Sequence, residues 1–326
     1  MNRLFKTLYW LPAVALFSIA LSACSDKKEK DNGPALAIVA CDDSFEKILQ
    51  QEIDVFEYSY PKFNVMPYYV TEKAAVDSLL DLGDVRTIVI ARPLTTEEKD
   101  YLKSNKKNVR ERKIAVDALA LIVNPKNTIE QLSTKELSEI LSGKVTEWGE
   151  IEPNKLGKID VVFDHQGSST VKYMRDSLLN GGDFGPNVFA QKSNKEVFEA
   201  VANNPRAIGI IGVSWISSDM DHAEKSTEEL AREAQASDTT TLDFDNRVKV
   251  LKVSGPDQVV AYKPYQAYIF DGSYPLFRSI YMTTVATGGT AGSNFYVFVT
   301  GFIGQKIIQM TGVLPATVTP RMVSLD

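Results

Sequence analysis

Residues 35–56 read ALAIVA (35–40), CDDS (41–44) and FEKILQQEIDVF (45–56). The first block is continuously apolar and too short for a helix, so it reads as a buried strand. In the third, Phe45, Ile48, Leu49, Ile53 and Phe56 recur at helical spacing. Asp43, with Glu46 three residues later, reads as the cap that opens this helix. A strand that runs through a polar junction into a helix is the repeating unit of an α/β fold. The same unit recurs along the chain. Strands are expected at 65–70, 87–91, 159–163 and 207–212, with 113–123 a longer apolar stretch. Helices are expected at 74–82, closed by Gly83, and after the capping pairs Thr95/Glu98, Ser133/Glu136 and Ser193/Glu196. Such alternation implies a parallel sheet flanked by helices. Further strands are expected at 248–253, 265–270 and 276–282, and one closing helix over 294–310. Residues 217–245 read as a polar surface excursion with a short helix at 227–235.

The composition bounds the function classes. With 326 residues, 44% hydrophobic and 24% charged, the chain has ample apolar surface to bury and is not disordered. Its net charge of −6 argues against coating a nucleic acid, which needs a basic face. Two histidines and two cysteines argue against a multi-histidine metal centre or a disulfide scaffold.

Residues 1–23 carry Arg3 and Lys6, then an apolar run over 8–20 that is too short to span a bilayer and has signal-peptide length. The run ends in Leu21, Ser22, Ala23 and Cys24, a tetrad that resembles the bacterial lipobox. Cys24 is therefore expected to be fatty-acylated (palmitate among its chains), with residues up to 34 a polar tether. Cys41 then lacks a disulfide partner and is expected to be a small buried residue.

In open α/β sheets, ligands bind where strand C-termini meet helix N-termini. Three such junctions carry polar residues: Asp42-Asp43-Ser44, Ala91-Arg92-Pro93, and Asp164 through Thr170. Helix-start amides, hydroxyls and an arginine fork suit an oxyanion, although a lone Asp or Ser there serves equally as a cap. Gly167-Ser168-Ser169-Thr170 is more telling, because capping needs one hydroxyl and three occur together. Asp164, His165 and Ser168 contain the residue types of a hydrolase triad but are crowded into one loop, where they can hardly align in relay. Asp219, Asp221 and His222 lie in the polar excursion without a fourth ligand and read as a solvated loop. No phosphate-cradling or dinucleotide-binding glycine motif occurs, and no cofactor is expected.

Several strings taken together resemble the periplasmic phosphate-binding proteins of ABC phosphate importers, in a variant found among Bacteroidetes-type lipoproteins. They are VDALALIVNP (116–125), LSGKVTEW (141–148), GSST (167–170), AIGIIG (207–212), YPL (274–276) and residues 301–312, in that order. The resemblance implies an α/β, type II periplasmic-binding-protein fold of two lobes joined by two crossovers, with the ligand in the cleft. Lobe one would comprise 35–115 plus 265–326, and lobe two 116–264. It implies a monomeric, non-enzymatic protein on the periplasmic side of a bacterial membrane that delivers inorganic phosphate to an importer permease. Another anion or small solute on the same fold is the alternative. Carried over by position, Ser44, Arg92, Gln166, Gly167, Ser168, Ser169 and Thr170 would hold the anion. Phosphate keeps a proton at neutral pH and sulfate does not, so Asp43, Asp117 and Asp164 are candidate acceptors that would exclude sulfate. The family usually places an arginine before its Ser-Gly-Thr loop. Here Asp164, Gln166 and Ser169 depart from that pattern, which leaves Arg92 to supply most of the positive charge.

Overall fold

The run at 35–40 is the core of strand β1 (Ala35–Asp42) in a computed structural model that describes residues 35–217, 226–235 and 244–317. The expected signal segment and tether, Cys24 and the Asp219–His222 group lie outside the described residues. Helix α1 (Glu46–Ser59) follows, then β2 (Phe63–Val70), α2 (Glu72–Leu80), β3 (Val85–Ile90) and α3 (Thr96–Ser104). Strand β1 lies between β2 and β3 and pairs in parallel with both. The capping box of Thr95 and Glu98 opens α3 as its spacing demands.

The 14-residue β4 (Arg110–Val123) is the spine of the molecule. After it come β5 (Gln131–Ser133), α4 (Thr134–Leu141), β6 (Asp160–Phe163), α5 (Ser169–Leu178), β7 (Val188–Ala190), α6 (Asn194–Asn203) and β8 (Ala207–Gly212). The chain continues through α7 (Thr227–Gln235), β9 (Lys249–Val250), β10 (Lys252–Ser254), α8 (Gln266–Phe270) and β11 (Phe277–Thr284). It closes with α9 (Ala291–Thr300), α10 (Phe302–Met310) and β12 (Leu314–Pro315). The strand order is β2-β1-β3-β11-β4-β8-β6-β7, with β9 and β12 also on β4 and a separate β10-β5 pair. Residues Arg110 to Ala118 of β4 pair with β11, and Leu119 to Val123 pair with β8, so one strand serves two halves of the sheet.

Five expectations need correction. The sheet is mixed rather than parallel: its ends are parallel, but β3-β11-β4-β8 is antiparallel, because a returning strand is inserted between early ones. Of residues 265–270, Gln266–Phe270 form helix α8, not a strand; Gln266 and Ile269 are its buried positions, a spacing of three that fits a helical turn. The closing helix is two helices, interrupted at Gly301, whose extended backbone (ψ 178°) cannot continue either one. Residues 248–253 divide into β9 on β4 and β10 on β5. The helix before Gly83 ends at Leu80, and Leu82 (φ 58°) takes the left-handed turn instead of the glycine. The helix expected at 227–235 is α7, which buries Leu230 and Ala231 and packs against α1 and α10. Cys41 is free and fully buried, as expected.

The candidate anion-binding site

Three pairs of elements converge on one buried polar cluster. From the β1–α1 junction come Asp42, Asp43 and Ser44. Here Asp42, not Asp43, is the cap: its Oδ1 accepts from the Ser44 amide at 2.9 Å, and Asp43–Phe45 forms a short 3-10 turn before α1. This frees the Asp43 side chain and aims Ser44 inward, where it is 2% exposed.

From β6 and α5 come Asp164 to Thr170. The three hydroxyls divide their work. Ser168 is the N-cap, accepting from the Val171 amide at 3.1 Å while donating to Asp164. Ser169 and Thr170, left free of capping, face the other junction: Ser44 Oγ lies 3.2 Å from Ser169 Oγ and 3.5 Å from Thr170 Oγ1. Gly167 approaches Thr71 at the start of α2 so closely that a Cβ would lie 3.2 Å from its methyl. Gln166 is exposed and lines a separate cavity of ≈ 430 Å³ with Phe163 and Phe184, apart from the cluster.

The centre supplies the charge. Register sets Arg278 of β11 directly opposite Asp117 of β4. The guanidinium, 5% exposed, donates to Asp117 Oδ2 at 3.2–3.3 Å and to Ser169 Oγ at 2.6 Å, and rests 4.6 Å above the Phe45 ring. Gly212 on β8 makes room for this pair, since a Cβ there would lie 3.0 Å from Asp117 Oδ2. Arg278 is the residue that sequence reading missed. The available signal was an arginine inside the apolar strand at 276–282, a position that demands a buried partner.

Arg92 is differently employed. Its fork binds Glu98 at 2.8 Å and its Nε reaches Glu72 at 3.3 Å. It borders a cavity of ≈ 210 Å³ whose wall includes Ser169, Lys172 and Arg278, so it stands at the edge of the cluster. The expectation that Arg92 carries most of the positive charge gives way to Arg278, which is the more buried and the closer to the hydroxyls.

Two buried carboxyl groups, Asp117 and Asp164, act on this guanidinium, and Asp42 and Asp43 stand at the adjoining junction. Burial pushes Asp117 up to about 6 despite the opposing pull of Arg278, and pushes Asp164 up to about 6 despite the Ser168 hydrogen bond. Asp43 is raised by burial and by Asp42, with His165 pulling the other way. Asp117 Oδ1, Asp42 Oδ2 and Asp43 Oδ1 are buried without a hydrogen-bond partner. The cluster thus offers hydroxyl donors, one fixed guanidinium and unsatisfied acceptors, a set suited to an oxyanion that still carries a proton.

Comparison with known proteins agrees with this architecture. A family model described as PBP superfamily domain matches residues 29–302. The phosphate-binding protein PstS of Staphylococcus saprophyticus is 26% identical over 198 residues, which is 60% of this chain and 53% of that protein. The chain thus spans about half the length of the curated relatives it matches. A Clostridium perfringens chain solved with bound phosphate superposes with a TM-score of 0.67 at 20% identity, over 86% of this chain and all (100%) of that one. An ABC-type phosphate transport receptor from Vibrio cholerae gives 0.60 at 20% identity, over 85% and 99% of the two chains. At that identity the solved structures speak for the fold, a two-lobed binding-protein α/β architecture. With a match that covers most of its length, the chain belongs to the PBP superfamily.

Proposed function

We propose that this protein binds inorganic phosphate between its two lobes and delivers it to the permease of an ABC importer, without catalysing a reaction. The observation that carries this reading is Arg278, pinned by Asp117 and reaching Ser169, with Asp117 Oδ1 left as an unpaired buried acceptor. Ser44, Ser169, Thr170 and Arg278 would donate to the anion. Asp117 or Asp164 would accept the phosphate proton, and sulfate, lacking one, would leave that acceptor unpaired and repelled. Ser168 would act by holding Asp164 and the helix start, and Arg92 by lining the way in. The names and the bound ligand of the similar proteins support the same assignment. The lobes would be 35–115 plus 265–326 and 116–264, with β4 and residues near 264 as crossovers.

Among the described residues no helix is long and apolar enough to cross a membrane. The lipobox-like tetrad supports attachment through a lipidated Cys24, which would hold a monomeric binding protein at the periplasmic face of a membrane. Loss of fatty-acid labelling in Cys24→Ala would establish this, and retained labelling would remove it.

The decisive measurement is isothermal titration of the full chain in detergent, stripped of bound anion by unfolding and refolding. Phosphate should bind with a Kd of about 1 μM or tighter, and sulfate should give no heat. Silence with both from a folded protein would transfer the site to another solute.

A further inference from the structure

His165 stands one residue beyond Asp164 in the β6–α5 turn, and its Nε2 meets Asp43 Oδ2 of the β1–α1 junction. The two residues are 122 positions apart, on elements from opposite ends of the sheet. Both are about one-quarter exposed, at the rim of the cluster rather than inside it. The anion donors Ser44 and Ser169 lie within one and four residues of them in sequence, so the pair brackets the same seam. Asp43 is not a cap, and its other oxygen has no partner. The seam is further closed by Gly167 against Thr71 and by Trp215 Nε1, which donates to the Ser44 carbonyl at 3.1 Å.

We infer that Asp43 and His165 form a latch across the cleft, a pair of positioning residues that hold the closed form and so slow release of the bound anion without touching it. This rests on the phosphate-binding reading of the site. It also separates Asp43 from Asp117 and Asp164, the other two acids considered as phosphate acceptors. A contact that exists only when the two junctions meet stabilises only the closed state, and its loss therefore raises the dissociation rate more than it lowers the association rate. The charged surroundings are mixed: Asp42 and Glu46 face Asp43 from its own junction, Asp164 adjoins His165, and Arg278 lies beyond Asp164. The two side chains carry opposite charges only when the imidazole is protonated and Asp43 ionised.

The test is a double-mutant cycle on the full chain with Asp43→Asn, His165→Ala and the double variant, reading phosphate Kd by titration and release by stopped flow. Each single variant should weaken binding about tenfold, in the release rate, and the double variant should lose no more than either single one. His165→Gln, which retains a donor, should recover part of the loss. Additive losses or unchanged release would overturn the latch.

Should the wild-type chain bind no phosphate, the function falls and the latch is still tested by distance. Spin labels at Lys103→Cys on α3 and Lys195→Cys on α6 would report the span of the cleft by pulsed electron resonance. A closed population that shrinks in Asp43→Asn and His165→Ala sustains the latch, and an unchanged distribution removes it.

Discussion

At the scale of single residues, the chemistry turns on where one guanidinium is held. Arg278 gains from Asp117 in a medium that screens poorly, and the pair is useful because one Asp117 oxygen is left over. Arg278→Lys keeps the charge and loses the fork, so phosphate affinity should fall about tenfold or more in titration. Arg278→Ala should in addition cost about 3–5 kcal/mol of stability by urea unfolding, because Asp117 is left buried without its cation. Arg92→Ala should change affinity by no more than about threefold, since that side chain is one-third exposed and already forked onto Glu98. The buried acids set the pH response. In the unfolded chain both Asp117 and Asp164 are ionised above about pH 4, whereas burial holds them near about 6 in the fold. Between those values the folded chain binds more protons, so these groups add stability as pH falls through the window and lose it as pH rises past about 6. Wild-type stability relative to Asp164→Asn should therefore be greater at about pH 5 than at about pH 7, by on the order of 1–3 kcal/mol. Urea midpoints at the two pH values check the sign.

At the scale of elements, local signals were legible and distant pairings were not. The apolar runs that became β1, β3, β6 and β8 announce themselves, as do the capping boxes of Thr95/Glu98 and Ser133/Glu136, because each depends on residues within one turn. So did the serine-threonine junction, where three hydroxyls exceeded the needs of a cap. Arg278 was missed because its partner Asp117 lies 161 residues away, and no local pattern relates the two. The same distance hid the antiparallel centre of the sheet, since β11 returns between strands laid down far earlier. Helix α8 was mistaken for a strand because six mostly apolar residues fit either period. The contact between β8 and β4 carries its own prediction. Gly212→Ala should push the Asp117 carboxylate off Arg278 from 3.0 Å away, lowering phosphate affinity while circular dichroism still reports a folded chain.

At the scale of the whole molecule, β4 makes the two halves one body: β11 and β12 cover its first part, β8 and β9 its second. Asp117 sits one residue before the last β4 position that pairs with β11, so the ion pair lies where the halves meet. A chain ending after residue 264 lacks β11, and β3 and β4 would then face solvent along unpaired edges. It should be insoluble or lack native circular dichroism, whereas a soluble, folded product would show that β11 is dispensable. The late return of β11 also sets a timetable for the nascent chain. Synthesis begins at the N-terminus, and β1, β2 and β3 can meet early, while the slot between β3 and β4 waits for almost the entire polypeptide. Ser44 and Ser169 exist long before Arg278 is made. The protein can therefore capture no anion through that arginine while it is still being synthesised; its first ligand must await a nearly finished chain.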